Sequence, residues 1–252
     1  MAIALTTLVE EAERFLSAAR ISDYCPNGLQ VEGRPQVRRI VSGVTASQAL
    51  LDAAVEAEAD VVLVHHGYFW KGEDACITGI KRRRLQTLLS NDISLLAYHL
   101  PLDLHAEVGN NVQLARQLDI TVEGPLDPNN PRIVGLVGSL DEPMSARDFA
   151  RRVQEVLGRE PLLVEGEGMI RKIGWCTGGG QGYIDNAIAA GVDLYLTGEA
   201  SEQTFHSARE NGISFIAAGH HATERYGVQA LGDYLARRFA LEHLFIDCPN
   251  PI

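Results

Sequence analysis

Apolar residues return along this chain in two rhythms, one of helical spacing and one of short unbroken runs. From Thr6 to about Arg20, Leu8, Ala12, Phe15 and Ala19 recur at helical spacing, which predicts an amphipathic opening helix capped by Thr6 or Thr7. Cys25-Pro26-Asn27-Gly28 breaks the pattern as a turn and leads to the short apolar Leu29-Gln30-Val31. Beyond it, residues 39–45, 61–66 and 93–98 read as strands, separated by helices expected from Ser47 to Ala57 and from Ile80 to Ser90. Alternation of this kind predicts an α/β fold around a parallel sheet buried on both faces. A helix from Val108 to Leu118 closes the first half.

Residues 124–131, rich in proline and asparagine, read as a linker. A strand is expected over 133–140, a helix over 145–157 opening with a capping box of Ser145 and Asp148, and a strand over 162–165. The chain then repeats its own plan. Ile173 to Gly178 lies 133 residues after Ile40 to Thr45, and Leu194 to Glu199 lies 133 residues after Val61 to His66. Ile213 to Ala218 echoes Ile93 to Tyr98 at an offset of 120. A long helix from Ala222 to Phe239 and a strand over 244–247 finish the chain. The repeat predicts two similar α/β lobes, residues 1–124 and 125–252, with the C-terminal helix and strand as candidates to pack back on the first lobe.

Chemistry gathers where the strands stop. Parallel sheets place ligands beyond the carboxyl ends of their strands, and Val61-Val62-Leu63-Val64 ends in His65-His66. Adjacent side chains of a strand point opposite ways, so the pair can reach two metal ions on either side of the strand end; the plainer reading is a satisfied histidine beside a surface one. The third strand of each half is followed by His-x-x-x-carboxylate, His99 with Asp103 and His220 with Glu224. His65, His66, Asp103, His220 and Glu224 are therefore the candidate metal ligands, gathered in a cleft between the lobes. Imidazole and carboxylate together suit Zn, Mn, Fe or Ni, and carboxylate suits Mg as well. Glu199 takes the place of His66 in the repeat and is a candidate general base or partner of a ligand; His99 and His105 are weaker candidates for supporting a ligand or for proton transfer.

Two further stretches have two readings each, and a third has one. Tyr68-Phe69-Trp70 is a lid or substrate wall, or an aromatic group packed under a loop. Gly178-Gly179-Gly180-Gln181-Gly182 presents amides to a phosphate, or is a tight strand-to-helix turn. Pro101 argues for a turn over residues 99–105, able to project Asp103.

Charge narrows the partners. A formal net charge of −11 and a pI near 5.2 argue against indiscriminate binding of nucleic acid. Lys81-Arg82-Arg83-Arg84 is a local exception, read as a solvated helix face or as a contact for a phosphate-bearing substrate or an acidic neighbouring subunit. No apolar run is long enough to cross a bilayer, the start carries no signal pattern, and four scattered cysteines suit reduced thiols, so a cytoplasmic address is expected.

Val-His-His-Gly, His-x-Pro-x-Asp, Thr-Gly-Glu and Gly-His-His-x-Thr-Glu, in this order over essentially the full chain, resemble the bacterial GTP cyclohydrolase 1 type 2 homologue family, Nif-three-like dinuclear metal centre proteins. Residues 21–31 resemble it closely as well. The resemblance implies two divalent cations per chain between two α/β lobes and a ring-shaped homohexamer. It also implies that His65 and His66 bind different ions, that Asp103 joins one and His220 the other, and that Glu224 bridges. The implied function is a dinuclear metal-dependent hydrolase of a nucleotide or related small phosphorylated compound, with hydroxide generated at the metal as nucleophile. The alternatives are a metal-binding adaptor or metal-delivery protein without turnover, and a nucleic-acid-associated ring.

Overall fold

The computed structural model describes residues 2–252, and the chain divides into two compact units. Unit 1 takes the chain as far as Gly109 together with Gly227–Cys248; unit 2 takes Asn110–Tyr226 and Pro249–Ile252. Unit 1 opens with β1 (Ile3–Ala4), α1 (Leu5–Leu16), β2 (Gly28–Val31), β3 (Gln36–Val37) and β4 (Arg39–Thr45). It continues with α2 (Gln48–Glu56), β5 (Val61–His66), α3 (Gly79–Ser90), β6 (Ser94–Ala97) and the single turn α4 (Leu100–Asp103). Unit 2 follows with α5 (Asn110–Gln117), β7 (Thr121–Pro125), β8 (Leu136–Met144), α6 (Ala146–Leu157), β9 (Leu162–Val164) and β10 (Ile170–Cys176). Next come α7 (Ile184–Ala189), β11 (Leu194–Thr197), α8 (Glu202–Glu210), β12 (Ser214–Ala217) and α9 (His220–Thr223). Most of α10 (Arg225–Phe239) and all of β13 (Glu242–Phe245) belong to unit 1.

Among the described residues, unit 1 builds a five-stranded sheet in the order β13-β4-β5-β6-β2, parallel except for β2. Unit 2 builds six strands in the order β7-β8-β10-β11-β12-β9 around a parallel trio, β10-β11-β12. The repeat holds to the register of individual pairs. Ile40 faces Val61 as Ile173 faces Leu194, and Val61 faces Ser94 as Leu194 faces Ser214. It also reaches the antiparallel edges, which the sequence pattern left unconnected: Val31 faces Leu95 as Val164 faces Phe215.

The alternation of β5 explains why it reads as an unbroken apolar run. Val61 and Leu63 join Leu8, Leu231 and Leu235 on one side of the sheet, while Val62 and Val64 join Leu50, Leu51 and Leu88 on the other. Unit 2 packs Phe149, Val153, Ile173, Trp175, Leu194 and Ile216 into a single cluster. The outer strand β13 is fastened to β4 by Ser42 Oγ and His243 Nε2 at 2.7 Å, and His243 Nδ1 meets Asp233 Oδ1 at 2.8 Å.

Several local expectations are corrected. The opening helix stops at Leu16 because Ser17 adopts a left-handed φ of 52°, and its N-cap is Ala4, so neither Thr6 nor Thr7 caps it. Gly124 and Pro125, expected in a linker, end strand β7. The long helix is interrupted at Glu224 (φ −108°, ψ 7°), which separates α9 from α10. Pro101 sits in the first turn of α4, where a missing N–H leaves no bond unmade, so a helical turn forms where only a turn was expected. Ser145 Oγ accepts from the Asp148 N–H at 3.1 Å, but the Asp148 carboxylate takes the Ser145 hydroxyl at 2.6 Å instead of a backbone N–H. The reciprocal box stands at Ser201 and Thr204, at the start of α8.

Candidate metal centre

In unit 1 the end of β5 carries two imidazoles whose rings lie 4.5 Å apart. His65 is fully buried, and its Nδ1 lies 2.9 Å from the Tyr98 carbonyl oxygen. A carbonyl only accepts, so Nδ1 carries the hydrogen and Nε2 keeps its lone pair. That Nε2 faces Asp103 Oδ1 at 3.6 Å. His66, half-buried, has Nδ1 3.2 Å from the Thr45 hydroxyl on the neighbouring strand. One donor atom from each of His65, His66 and His99 lies within 4.8 Å of the others.

His99 is held by a segment to which no role was assigned from sequence. Asp23 accepts from His99 Nδ1 at 3.0 Å, from Asn27 Nδ2 at 3.0 Å and from the Leu100 N–H at 2.9 Å, while Asn27 Oδ1 accepts the His99 N–H at 2.7 Å. Burial works to raise the Asp23 carboxyl, but the hydrogen bonds from His99, Asn27 and Leu100 outweigh it and hold the group well below the usual carboxylate range. The signal in the sequence was the polar Asp23-Tyr24-Cys25-Pro26-Asn27 turn, whose partner at His99 is 76 residues away.

In unit 2 the motifs reduce to a set of local supports. Thr197 Oγ1 donates to the Gly178 carbonyl at 3.1 Å and accepts from the Gly180 N–H at 3.0 Å. Thr223 Oγ1 accepts the Gly178 N–H at 3.0 Å. Gly178 has a φ of 65°, and a Cβ there would overlap Glu224 Oε1, so a glycine is required where the loop passes the carboxylate. Glu199 Oε1 accepts from His220 Nδ1 at 2.6 Å, and Glu199 Oε2 accepts from Gln181 at 3.1 Å. His220 Nε2 then faces the buried Glu224 Oε2 at 3.3 Å. Burial alone would lower the His220 pKa; Glu224 and Glu199 outweigh it and raise the group to about 9.

The two donor sets share one geometry. In each, an oxygen acceptor fixes Nδ1–H and leaves Nε2 opposite a carboxylate oxygen at 3.3 to 3.6 Å. Asp103 is 7% and Glu224 3% exposed, and a cation beside so buried a carboxylate is favoured; at His220 a proton can supply it. A divalent ion suits both sets, since neutral imidazole oriented by an outer oxygen, combined with carboxylate, is the donor chemistry of transition-metal sites. These residues fit a metal.

Other predicted residues go elsewhere. His105 Nε2 donates to the Phe15 carbonyl at 3.1 Å, and its Nδ1 accepts from the Glu107 and Val108 N–H groups, which makes it a structural brace. The amides of Gly178 and Gly180 are taken by Thr223 and Thr197, so the glycine-rich turn does not offer those two to a phosphate. Tyr68 is buried, with its hydroxyl donating to the Ala46 carbonyl at 2.7 Å, whereas Trp70 lies 6.0 Å from the His66 ring and 5.1 Å from the His99 ring. Lys81 pairs with Glu73 at 3.2 Å and sits over the Phe69 ring. Among the described residues no helix is long and apolar enough to cross a membrane.

The Duf34/NIF3 (NGG1p interacting factor 3) family profile matches residues 3–251. A Pseudomonas aeruginosa protein named GTP cyclohydrolase 1 type 2 homolog is 81% identical, with 100% of each chain covered. A protein of the same name from Escherichia coli K12 is 54% identical over 98% of each chain. A crystal structure from Thermus thermophilus is 36% identical, covers 99% of this chain and 100% of its own, and superposes with a TM-score of 0.90.

Proposed function

Because the chain belongs to the Duf34/NIF3 family, we propose that it is a dinuclear metal-dependent hydrolase of a nucleotide or a related small phosphorylated compound. His65, His66 and Asp103 of unit 1 and His220 and Glu224 of unit 2 are the ligands in this reading, divided between the ions as the family resemblance implies. The observation that carries it is the matched geometry of the two donor sets, an Nδ1–H fixed by oxygen and an Nε2 facing a buried carboxylate. Bound divalent ions would lower the pKa of a coordinated water and polarise a carbonyl or phosphoryl oxygen.

The chain's own residues do the positioning. The Tyr98 carbonyl and the Glu199 carboxylate set the tautomers of His65 and His220. Glu199, with both oxygens engaged, acts in this reading on His220 and not as a base toward substrate. Asp23 holds the Nδ1 side of His99, leaving Nε2 as the atom able to accept a proton beside His65 and His66. The family description names an interaction and not a reaction, which keeps a metal-binding adaptor as the second reading.

Elemental analysis of protein purified without added metal, beside a double variant His65→Ala, Glu224→Ala, tests the centre. About two divalent ions per chain are expected in the wild type and a clear loss in the variant. Less than about one ion per chain, or unchanged content in the variant, overturns it. Release of product from a panel of nucleotides and phosphorylated metabolites then separates hydrolase from adaptor. Light scattering after gel filtration tests the hexamer that the family resemblance implies.

A further inference from the structure

Unit 2 contains a cavity of about 590 Å³ at the carboxyl ends of β11 and β12, where Gly198, Glu199, Ala217 and Gly219 meet Arg159 and Leu162. The volume falls within the range of small-molecule sites, and the position is the end of a parallel sheet at which ligands bind. Glu199 joins this cavity to the His220 donor set, because the carboxylate that lines it also holds His220 Nδ1.

Arg159 is the cation of the cavity, and its Nη1 is buried with no hydrogen-bond acceptor among the described residues. A guanidinium stays charged at every physiological pH, so a buried N–H of this kind calls for an anion or another acceptor. Its placement is built into the chain. Gly219 has a φ of 101°, and a Cβ there would overlap the Arg159 guanidinium, so the residue just before His220 is bare where the arginine passes. Two carboxylates also line the cavity: Glu199, whose oxygens are engaged by His220 and Gln181, and Glu160, which is exposed to solvent that screens its charge. Leu162 and Ile252, both exposed, add apolar wall for the remainder of a ligand.

We propose that this cavity binds the phosphate group of a small phosphorylated substrate, with Arg159 as its anchor. This rests on the reading of the protein as a hydrolase of such compounds and deepens it by assigning the subsite that holds the phosphate. Arginine presents a planar fork of N–H donors that matches two phosphate oxygens. Phosphate is the ligand and a simple carboxylate the weaker rival, because a dianion gains more from the guanidinium than a monoanion does.

The test is calorimetric titration of the full-length protein as purified with inorganic phosphate, a nucleoside 5′-monophosphate and acetate. Arg159→Gln is expected to weaken phosphate and monophosphate binding about ten- to hundred-fold, with partial recovery in Arg159→Lys. Leu162→Trp, which fills the cavity while keeping the arginine, is expected to weaken binding as well and serves if Arg159→Gln does not fold. Unchanged affinity in Arg159→Gln, absence of phosphate binding in the wild type, or preference for acetate overturns the assignment. Phosphate binding lost in His65→Ala but retained in Arg159→Gln would place the anion on the metals, overturning this subsite while leaving the hydrolase reading intact. Arginine-dependent phosphate binding in protein that carries no metal would do the reverse.

Discussion

Asp60 in unit 1 and Asp193 in unit 2 stand at the same point of two copies of one plan. Asp60 accepts the N–H groups of Arg38 and Arg39 at 2.7 and 3.0 Å, and Asp193 accepts those of Arg171 and Lys172 at 2.9 and 2.8 Å. The Gly33 N–H donates to Ser94 Oγ at 3.0 Å, as the Gly166 N–H does to Ser214 Oγ at 3.1 Å. At the opposite end of the same strands the likeness stops. His65 and His66 have as their counterparts Gly198 and Glu199. A Cβ at Gly198 would stand 2.6 Å from His220 Cα and from the Gly178 oxygen, so unit 2 leaves out one imidazole and admits another from the following helical turn. The amino ends of the strands hold the fold, and the carboxyl ends, released from that task, carry the candidate ligands.

The largest effect on stability expected from this comparison is at the shared aspartates. Asp60 also takes Arg34 Nη1 at 2.9 Å, an addition that Asp193 lacks among the described residues, and Asp60 is the more buried of the two. Asn at either position can still accept the paired N–H groups through its carbonyl. At Asp60, however, the amide nitrogen then faces Arg34, donor against donor. Asp60→Asn is expected to cost about 2–3 kcal/mol and Asp193→Asn about 1 kcal/mol, with the Arg34 share kept modest because that arginine is partly exposed. Urea midpoints of the two variants check this. Equal losses would show that the repeat is energetically as well as geometrically symmetric.

A smaller effect separates the two imidazole supports. His65 is oriented by a backbone carbonyl, which no side-chain replacement removes, whereas His220 is oriented by Glu199. Glu199→Gln keeps an acceptor for Nδ1–H but removes its charge, so metal affinity is expected to fall about ten-fold, at the lower edge of the range for changes to groups that orient a ligand. Competition against a chelator reads the change. Full affinity together with lost turnover would move Glu199 from positioning to catalysis.

Much of the plan could be read from the chain, and particular residues show why. The buried strands announced themselves because each is apolar on both faces, as Val61 to Val64 is, and the offset between the halves persisted because their registers are the same. Asp23 escaped assignment because its role depends on a contact with His99, far away in sequence, and no local pattern encodes such a contact. Pro101 misled because its effect depends on its position within a helix, and the first turn tolerates what an interior refuses. The break at Glu224 was hidden for a related reason. Side chains from Ala222 to Phe239 keep a helical rhythm, while the backbone at Glu224 departs from helix as its carboxylate meets His220.

The smallest expected effect concerns a constellation that imitates a catalytic triad. Ser42, His243 and Asp233 are linked at 2.7 and 2.8 Å in the order hydroxyl, imidazole, carboxylate. Geometry alone would admit it as a nucleophile and its base. Ser42 is nevertheless fully buried, in the middle of β4 between β5 and β13, where no substrate carbonyl can approach its oxygen. Its counterpart in unit 2 is Trp175, whose Nε1 donates to the Asn111 carbonyl at 3.0 Å. The two positions differ because the neighbouring strand does: β13 lies parallel beside β4, and β8 lies antiparallel beside β10. The hydroxyl in unit 1 therefore serves to fasten a strand brought from the far end of the chain. Ser42→Ala is expected to lower stability by about 1 kcal/mol and to leave metal content and turnover unchanged. A variant of wild-type stability with abolished hydrolysis would make the triad catalytic and remove the division of labour between strand ends.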